Sequence, residues 1–102
     1  MPTVNFTAVR SDNGSVLTVD WTPLSLEDVG GFYKYHLDLT VKDQQVFRST
    51  KQVSYTMSST VFDGLDPSTH YSLAMNIIIV TNEGQEIPGP KGQPLEITSS
   101  IG

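Results

Sequence analysis

Phe62-Asp63-Gly64-Leu65-Asp66-Pro67-Ser68-Thr69-His70-Tyr71-Ser72-Leu73-Ala74-Met75-Asn76-Ile77-Ile78-Ile79-Val80 is the stretch that decides the fold. It predicts the end of one strand at Phe62 and a bend at Asp63-Gly64. Leu65 returns to the core. Asp66-Pro67-Ser68 makes the turn, because Pro fixes φ while Asp and Ser hydrogen-bond their own backbone. Tyr71, Leu73, Met75, Ile77 and Ile79 then alternate with Ser72, Ala74, Asn76, Ile78 and Val80, which is the period of a long strand. A Tyr placed just after such a corner can send its ring into the core. Its hydroxyl can then satisfy a backbone group at the bend.

Working back from the corner, Phe32 to Val41 has an unbroken period of two. Tyr33, Tyr35, Leu37, Leu39 and Val41 form one face, and Lys34, His36, Asp38 and Thr40 the other. Leu17, Val19 and Trp21 alternate with Thr18 and Asp20 over Ser15–Trp21, and Thr3–Val9 reads as a first strand. The Asn13-Gly14 pair turns the chain between these two. Pro23 ends the second strand, and Leu24–Asp28 reads as a helical turn or an irregular link. Asp43-Gln44 reads as a tight turn and Gln45–Ser49 as a short strand with Val46 or Phe47 packed. Val53, Tyr55 and Met57 alternate, and Ser58-Ser59 is read either as a bulge or as the point where a strand changes sheet. Beyond the long strand, Asn82-Glu83-Gly84 turns a final hairpin. Gln85–Gly92 carries Pro88 and Pro90 and reads as a non-regular stretch hugging a sheet edge. Leu95–Thr98 is the last strand. The count is seven strands, hence an all-β antiparallel sandwich with sheets of three and four strands. Residues 1–98 form one domain and residues 99–102 a linker or tail.

Trp21, Tyr33 and the set Leu65-x-Pro67-x-x-x-Tyr71 together resemble the pattern of fibronectin type III domains. The resemblance runs from Val4 to Thr98. It implies an immunoglobulin-like sandwich with Trp21, Tyr33, Leu65, Pro67 and Tyr71 as structural core residues. It also implies a non-catalytic interaction or spacer module, one bead of a multidomain adhesion or receptor ectodomain. Its partners would be adjacent domains of the same chain and a protein ligand. Two other settings stay open: an accessory domain of a secreted microbial polysaccharide-active enzyme, and a stand-alone binder using its loops. The Arg-Gly-Asp tripeptide through which some such domains bind integrins is absent, and so is the Trp-Ser-x-Trp-Ser box of cytokine receptors.

The composition sets limits. A formal charge of -5 with six scattered basic residues argues against nucleic acid as a partner. The chain has no Cys, which removes disulfides, thiolate metal sites and Cys nucleophiles. The longest apolar run, Ile77–Val80, cannot span a bilayer, so no direct membrane contact is expected. A signal and an anchor for an extracellular protein would lie outside these residues.

His36 and His70 are expected to face solvent. His36 and Asp38 share one strand face, as i, i+2 pairs on a wet sheet commonly do, without a nucleophile or an orienting third group. Asp63 and Asp66 read as turn caps rather than calcium ligands. No cofactor and no metal is therefore expected. Two N-glycosylation acceptors occur, Asn13 in a turn and Asn5 in an edge strand, of which Asn13 reads as the more accessible. The candidate interface is the outward face carrying Lys34, His36, Asp38, Asn76, Ile78 and Val80, with Ile78 and Val80 in solvent if the domain stands alone, or covered by the final hairpin or by Phe32. Asn82, Glu83 and Gly84 are candidate loop contacts.

Overall fold

A computed structural model describes residues 1–42 and 48–101, with the Arg48 side chain outside the description. The strands are β1 (Phe6–Arg10), β2 (Leu17–Trp21), β3 (Tyr33–Val41), β4 (Arg48–Ser54), β5 (Ser59–Phe62), β6 (Tyr71–Val80), β7 (Glu86–Pro88) and β8 (Leu95–Ile97). One helical turn, α1 (Leu26–Val29), precedes β3. All pairings are antiparallel. One sheet has the order β1-β2-β5; the other has the order β4-β3-β6-β7, with β8 also on β6.

The second sheet thus has five strand segments where four were expected. β7 pairs with Ile78–Val80 and β8 with Tyr71–Leu73. Both lie on the edge of β6 away from β3, so they are two halves of one final strand. The stretch between them contains Pro90 and Pro94, which have no N–H for a ladder. Glu86–Pro88, read as non-regular, does pair, because Pro88 sits at the last rung before the break.

The two inner faces meet as the alternation predicts. Leu17, Val19, Trp21, Phe62 and Leu65 pack against Tyr33, Tyr35, Leu37, Leu39, Tyr71, Leu73, Met75 and Ile77, all buried. Removing each such side chain from water contributes roughly 1.5–3 kcal/mol. The Trp21 and Tyr35 rings lie 5.0 Å apart between the sheets, and the indole N–H of Trp21 donates to the Met57 carbonyl at 3.0 Å.

β4 belongs to the five-stranded sheet and β5 to the three-stranded one. Residues 55–58 therefore carry the chain from one sheet to the other, the second of the two readings for this region. The turn at Asp43-Gln44 and most of the strand expected over Gln45–Ser49, with Val46 or Phe47, lie outside the described residues. Leu24–Asp28 resolves as the helical turn. Ser25 caps it by accepting from the Asp28 N–H at 3.0 Å, and Gly30 closes it in the left-handed region at φ 87.

The corner is built as the sequence implies. The Tyr71 hydroxyl accepts from the Asp66 N–H at 3.0 Å. Asp66 Oδ1 accepts from the backbone N–H and the hydroxyl of Ser68, at 3.0 and 2.8 Å. These bonds hold the Asp66 carboxyl below the usual carboxylate range, the Ser68 N–H first and its hydroxyl second. Arg10, one of the scattered basic residues, turns out to organise this end. Its guanidinium donates to the carbonyls of Gly14, Thr69, Thr98 and Asp66 at 2.8, 2.8, 2.9 and 2.5 Å, and it lies over the Tyr71 ring at 5.3 Å. Gly14 has φ 78, and a Cβ there would come within 2.7 Å of Pro67 Cβ, so the first turn must be glycine to seat on the corner. Ser99 and Ser100 are docked rather than free: the Ser100 N–H donates to the Pro67 carbonyl at 3.0 Å and the Ser99 N–H to His70 Nδ1 at 3.1 Å.

Candidate functional site

Two surfaces compete for the role of site: the outer face of the five-stranded sheet, and the end of the sandwich opposite the corner.

The outer face holds the six residues of the expected interface, but it is closed by its own polar groups. Asp38 is only 4% exposed. Its Oδ1 accepts from the Thr50 hydroxyl at 2.8 Å, and its Oδ2 from Lys91 at 2.9 Å. His36 Nε2 lies 3.2 Å from the same Oδ2, and Gln52 Nε2 lies 3.1 Å from His36 Nδ1. The expectation that His36 and Asp38 stand in solvent is therefore corrected. His36 is 17% exposed, and both are held beneath neighbours from β4 and the final strand. A carboxylate taken this far from water needs such partners, because desolvation opposes its charge. Asn76 is buried as well; its amide donates to the Ile77 and Gly89 carbonyls at 3.1 and 3.2 Å.

Of the two readings for Ile78, the covered one holds: it is 7% exposed. Lys34 pairs with Ile78 in register and Glu86 with Val80, yet Lys34 Nζ reaches Glu86 Oε2 at 2.6 Å. The ion pair must cross β6, so the Lys34 stem covers the strand at Ile78. Long charged side chains bury their methylenes in this way. Val80, one pleat further, remains 36% exposed. His70 is exposed, in agreement with its reading.

The opposite end is open. A cleft of about 350 Å³ lies between Gly30, Gly31 and Phe32 on one side and Ile79, Val80, Thr81, Asn82 and Glu83 on the other. Phe32 is 60% exposed. Its ring meets Tyr55 edge-on at 5.8 Å, and its carbonyl accepts from the Val80 N–H at 3.0 Å. Beneath this, Tyr33 and Tyr35 close the core. The Tyr33 hydroxyl donates to the Leu24 carbonyl, the two hydroxyls lie 3.0 Å apart, and the Leu24 N–H donates to the Tyr35 hydroxyl at 3.1 Å. Burial, and then the bond to Tyr35, raise the Tyr33 phenol well above its ordinary value. These bonds tie the β2–β3 connection to the start of β3.

The structure brings Val80 together with two of the three candidate loop contacts, Asn82 and Glu83; Gly84 turns the hairpin at φ 82 without lining the cleft. The site residue that sequence reasoning missed is Phe32. Its place at the first residue of the period-two run, on the outward phase beside Lys34, was the available signal. Asn5 and Asn13 are both exposed and neither lines this cleft. Trp21, Tyr33, Leu65 and Tyr71 are buried and Pro67 half-buried, in the roles the resemblance implies.

Among solved structures, the FN1–FN3 domains of chicken CNTN1 superpose with a TM-score of 0.72 at 18% identity over 97% of this chain. The fold is that of a fibronectin type III domain. An FN3 domain of human collagen XX matches at TM-score 0.67 and 17% identity, covering 97% of this chain and 92% of that one. The third fibronectin III domain of human KIAA0343 protein matches at 0.63 and 19%, covering 97% and 82%. The chain spans 32% of the three-domain CNTN1 fragment. No protein-family model and no curated protein sequence matches the chain. Within the fibronectin type III fold, the Phe32 cleft lies where the β2–β3 connection meets the β6–β7 hairpin. The Arg10 clamp closes the other end.

Proposed function

We propose that this chain is a non-catalytic protein-interaction or spacer module of a multidomain extracellular protein of adhesion or receptor type, and that it contacts its partner through the Phe32 cleft. The fibronectin type III fold supports the general reading, since domains of this fold occur as modules in such proteins. The exposed Phe32 beside Val80 carries the specific one. An aromatic ring and a valine left in water at the mouth of a cleft are the kind of apolar anchor that interfaces use. The partner is a neighbouring domain or a separate protein ligand. Nucleic acid does not suit a net charge of -5.

The test is an amide NMR titration of the labelled chain with the protein segments that flank it in its own gene. Shifts gathered on Phe32, Val80, Asn82 and Glu83, and lost in a Phe32→Ser, Val80→Ser variant that keeps its stability, support the cleft. Shifts confined to residues 1–5 and 96–102 would leave a bead joined only at its ends. Shifts centred on Lys34, His36 and Lys91 would move the site to the outer face.

A further inference from the structure

The outer face of the three-stranded sheet contrasts with that of the five-stranded sheet. It has no lattice of ion pairs among the described residues. Val9, Thr18 and Val61 stand in one cross-strand row and Thr7, Asp20 and Ser59 in the next. Val9 is 67% exposed. At the start of β1 this face holds a shallow depression of about 240 Å³ lined by Asn5, Thr7, Asp20, Trp21 and Thr22. Asn5 and Thr7 belong to the acceptor triplet Asn5-Phe6-Thr7. The Asn5 carbonyl is fixed by the Thr22 N–H at 3.0 Å, while its side chain is exposed and, among the described residues, takes part in no hydrogen bond. Asn13 is exposed too, but its carboxamide oxygen is bonded within its own turn, and it lines neither this depression nor the Phe32 cleft. Asn13 Oδ1 accepts from the Ser11 hydroxyl at 2.7 Å and from the Ser15 N–H and hydroxyl at 3.1 and 2.9 Å.

We propose that Asn5 is the chain's N-glycan site and that the depression beside it seats the first N-acetylglucosamine. This reverses the order of the two acceptors read from sequence. It rests on the extracellular reading, because the donor is a lipid pyrophosphate-linked oligosaccharide of the secretory pathway. A bond forms between Asn5 Nδ2 and C1 of the sugar, Nδ2 loses one proton, and the lipid pyrophosphate leaves. The lining suits a sugar. The Asp20 carboxylate accepts from ring hydroxyls, and the Thr7 and Thr22 hydroxyls donate or accept. A rooted glycan would also lie along β1, an edge strand whose unpaired backbone groups otherwise invite pairing with another chain.

The experiment secretes the whole 102-residue chain, behind a signal peptide, from cultured animal cells. Peptide mass spectrometry of the wild type, Asn5→Gln and Asn13→Gln chains maps the glycan. The expected result is a glycan on the Asn5 peptide that is lost in Asn5→Gln and kept in Asn13→Gln. NOEs from the first sugar to Thr7 or Thr22 are expected, with Trp21 indole shifts on enzymatic deglycosylation. An unmodified Asn5 overturns the site. A modified Asn5 without NOEs or shifts overturns the seat. Both results are independent of the Phe32 titration, so failure there leaves this inference standing and the converse holds.

Discussion

At the corner end of the sandwich, Arg10 serves four carbonyl oxygens, Tyr71 serves the Asp66 N–H, and Gly14 lies against Pro67. At the loop end, Phe32 and Val80 stand in water around a cleft that none of the described residues fills. The two ends share the same strands, so the difference lies in the connections. At the corner, two connections and the segment after β8 converge on one cation. At the loop end, the β2–β3 connection meets β6 through the Val80 N–H and the Phe32 carbonyl, and a cleft stays open between it and the β6–β7 hairpin. A domain needs only one end locked to fix its register, which leaves the other free to carry contacts.

The contrast predicts a steep gradient of mutational cost. Arg10→Ala should have the largest effect, about 3 kcal/mol off the unfolding free energy in urea melts, because charge-assisted bonds are lost and carbonyls are left under-satisfied. If the loss is no greater than that of an exposed Gln93→Ala control, the clamp is not structural. Next, Ile78→Thr should cost about 2 kcal/mol, through lost apolar burial and a hydroxyl beneath the Lys34 stem. Val80→Thr should stay within about 0.5 kcal/mol. Equal costs would mean that the Lys34–Glu86 pair does not cover β6. Tyr71→Phe should cost about 1 kcal/mol by removing one hydrogen bond while keeping the ring.

The smallest effect is a pH dependence. The Asp66 carboxyl has a lower pKa folded than unfolded, first because of the Ser68 N–H. The stability it contributes is present above the unfolded carboxylate value and is lost as pH falls through the folded one. Urea midpoints measured downward from pH 5 should therefore drop less in Asp66→Asn than in the wild type. Parallel curves would show that Asp66 does not contribute to the acid lability of the corner.

Much of this was legible in the residues. The alternation through Tyr33–Val41 and Tyr71–Val80 named the inner faces correctly, because a pleated strand alternates sides whatever its surroundings. The corner was legible because Asp, Pro, Ser and Tyr each act within five residues. The outer face was misread at Asp38 and Asn76, and left undecided at Ile78, for the converse reason. Phase says which side a residue takes, but not what reaches across to cover it. Lys91 and Glu86 come from the broken final strand, 53 and 52 residues along the chain from their partners Asp38 and Lys34.

The sequence by itself thus determined the class of fold, the inner faces, the corner and the lack of any cysteine chemistry, all of which follow from local period, turn chemistry and composition. Only the tertiary structure decided that Arg10 is a clamp and that Phe32 is left open beside Val80. It alone closed the outer face of the larger sheet and left Asn5 free beside a depression. Each of these depends on which distant side chains converge, and convergence is a property of the packed sheets rather than of any stretch of chain.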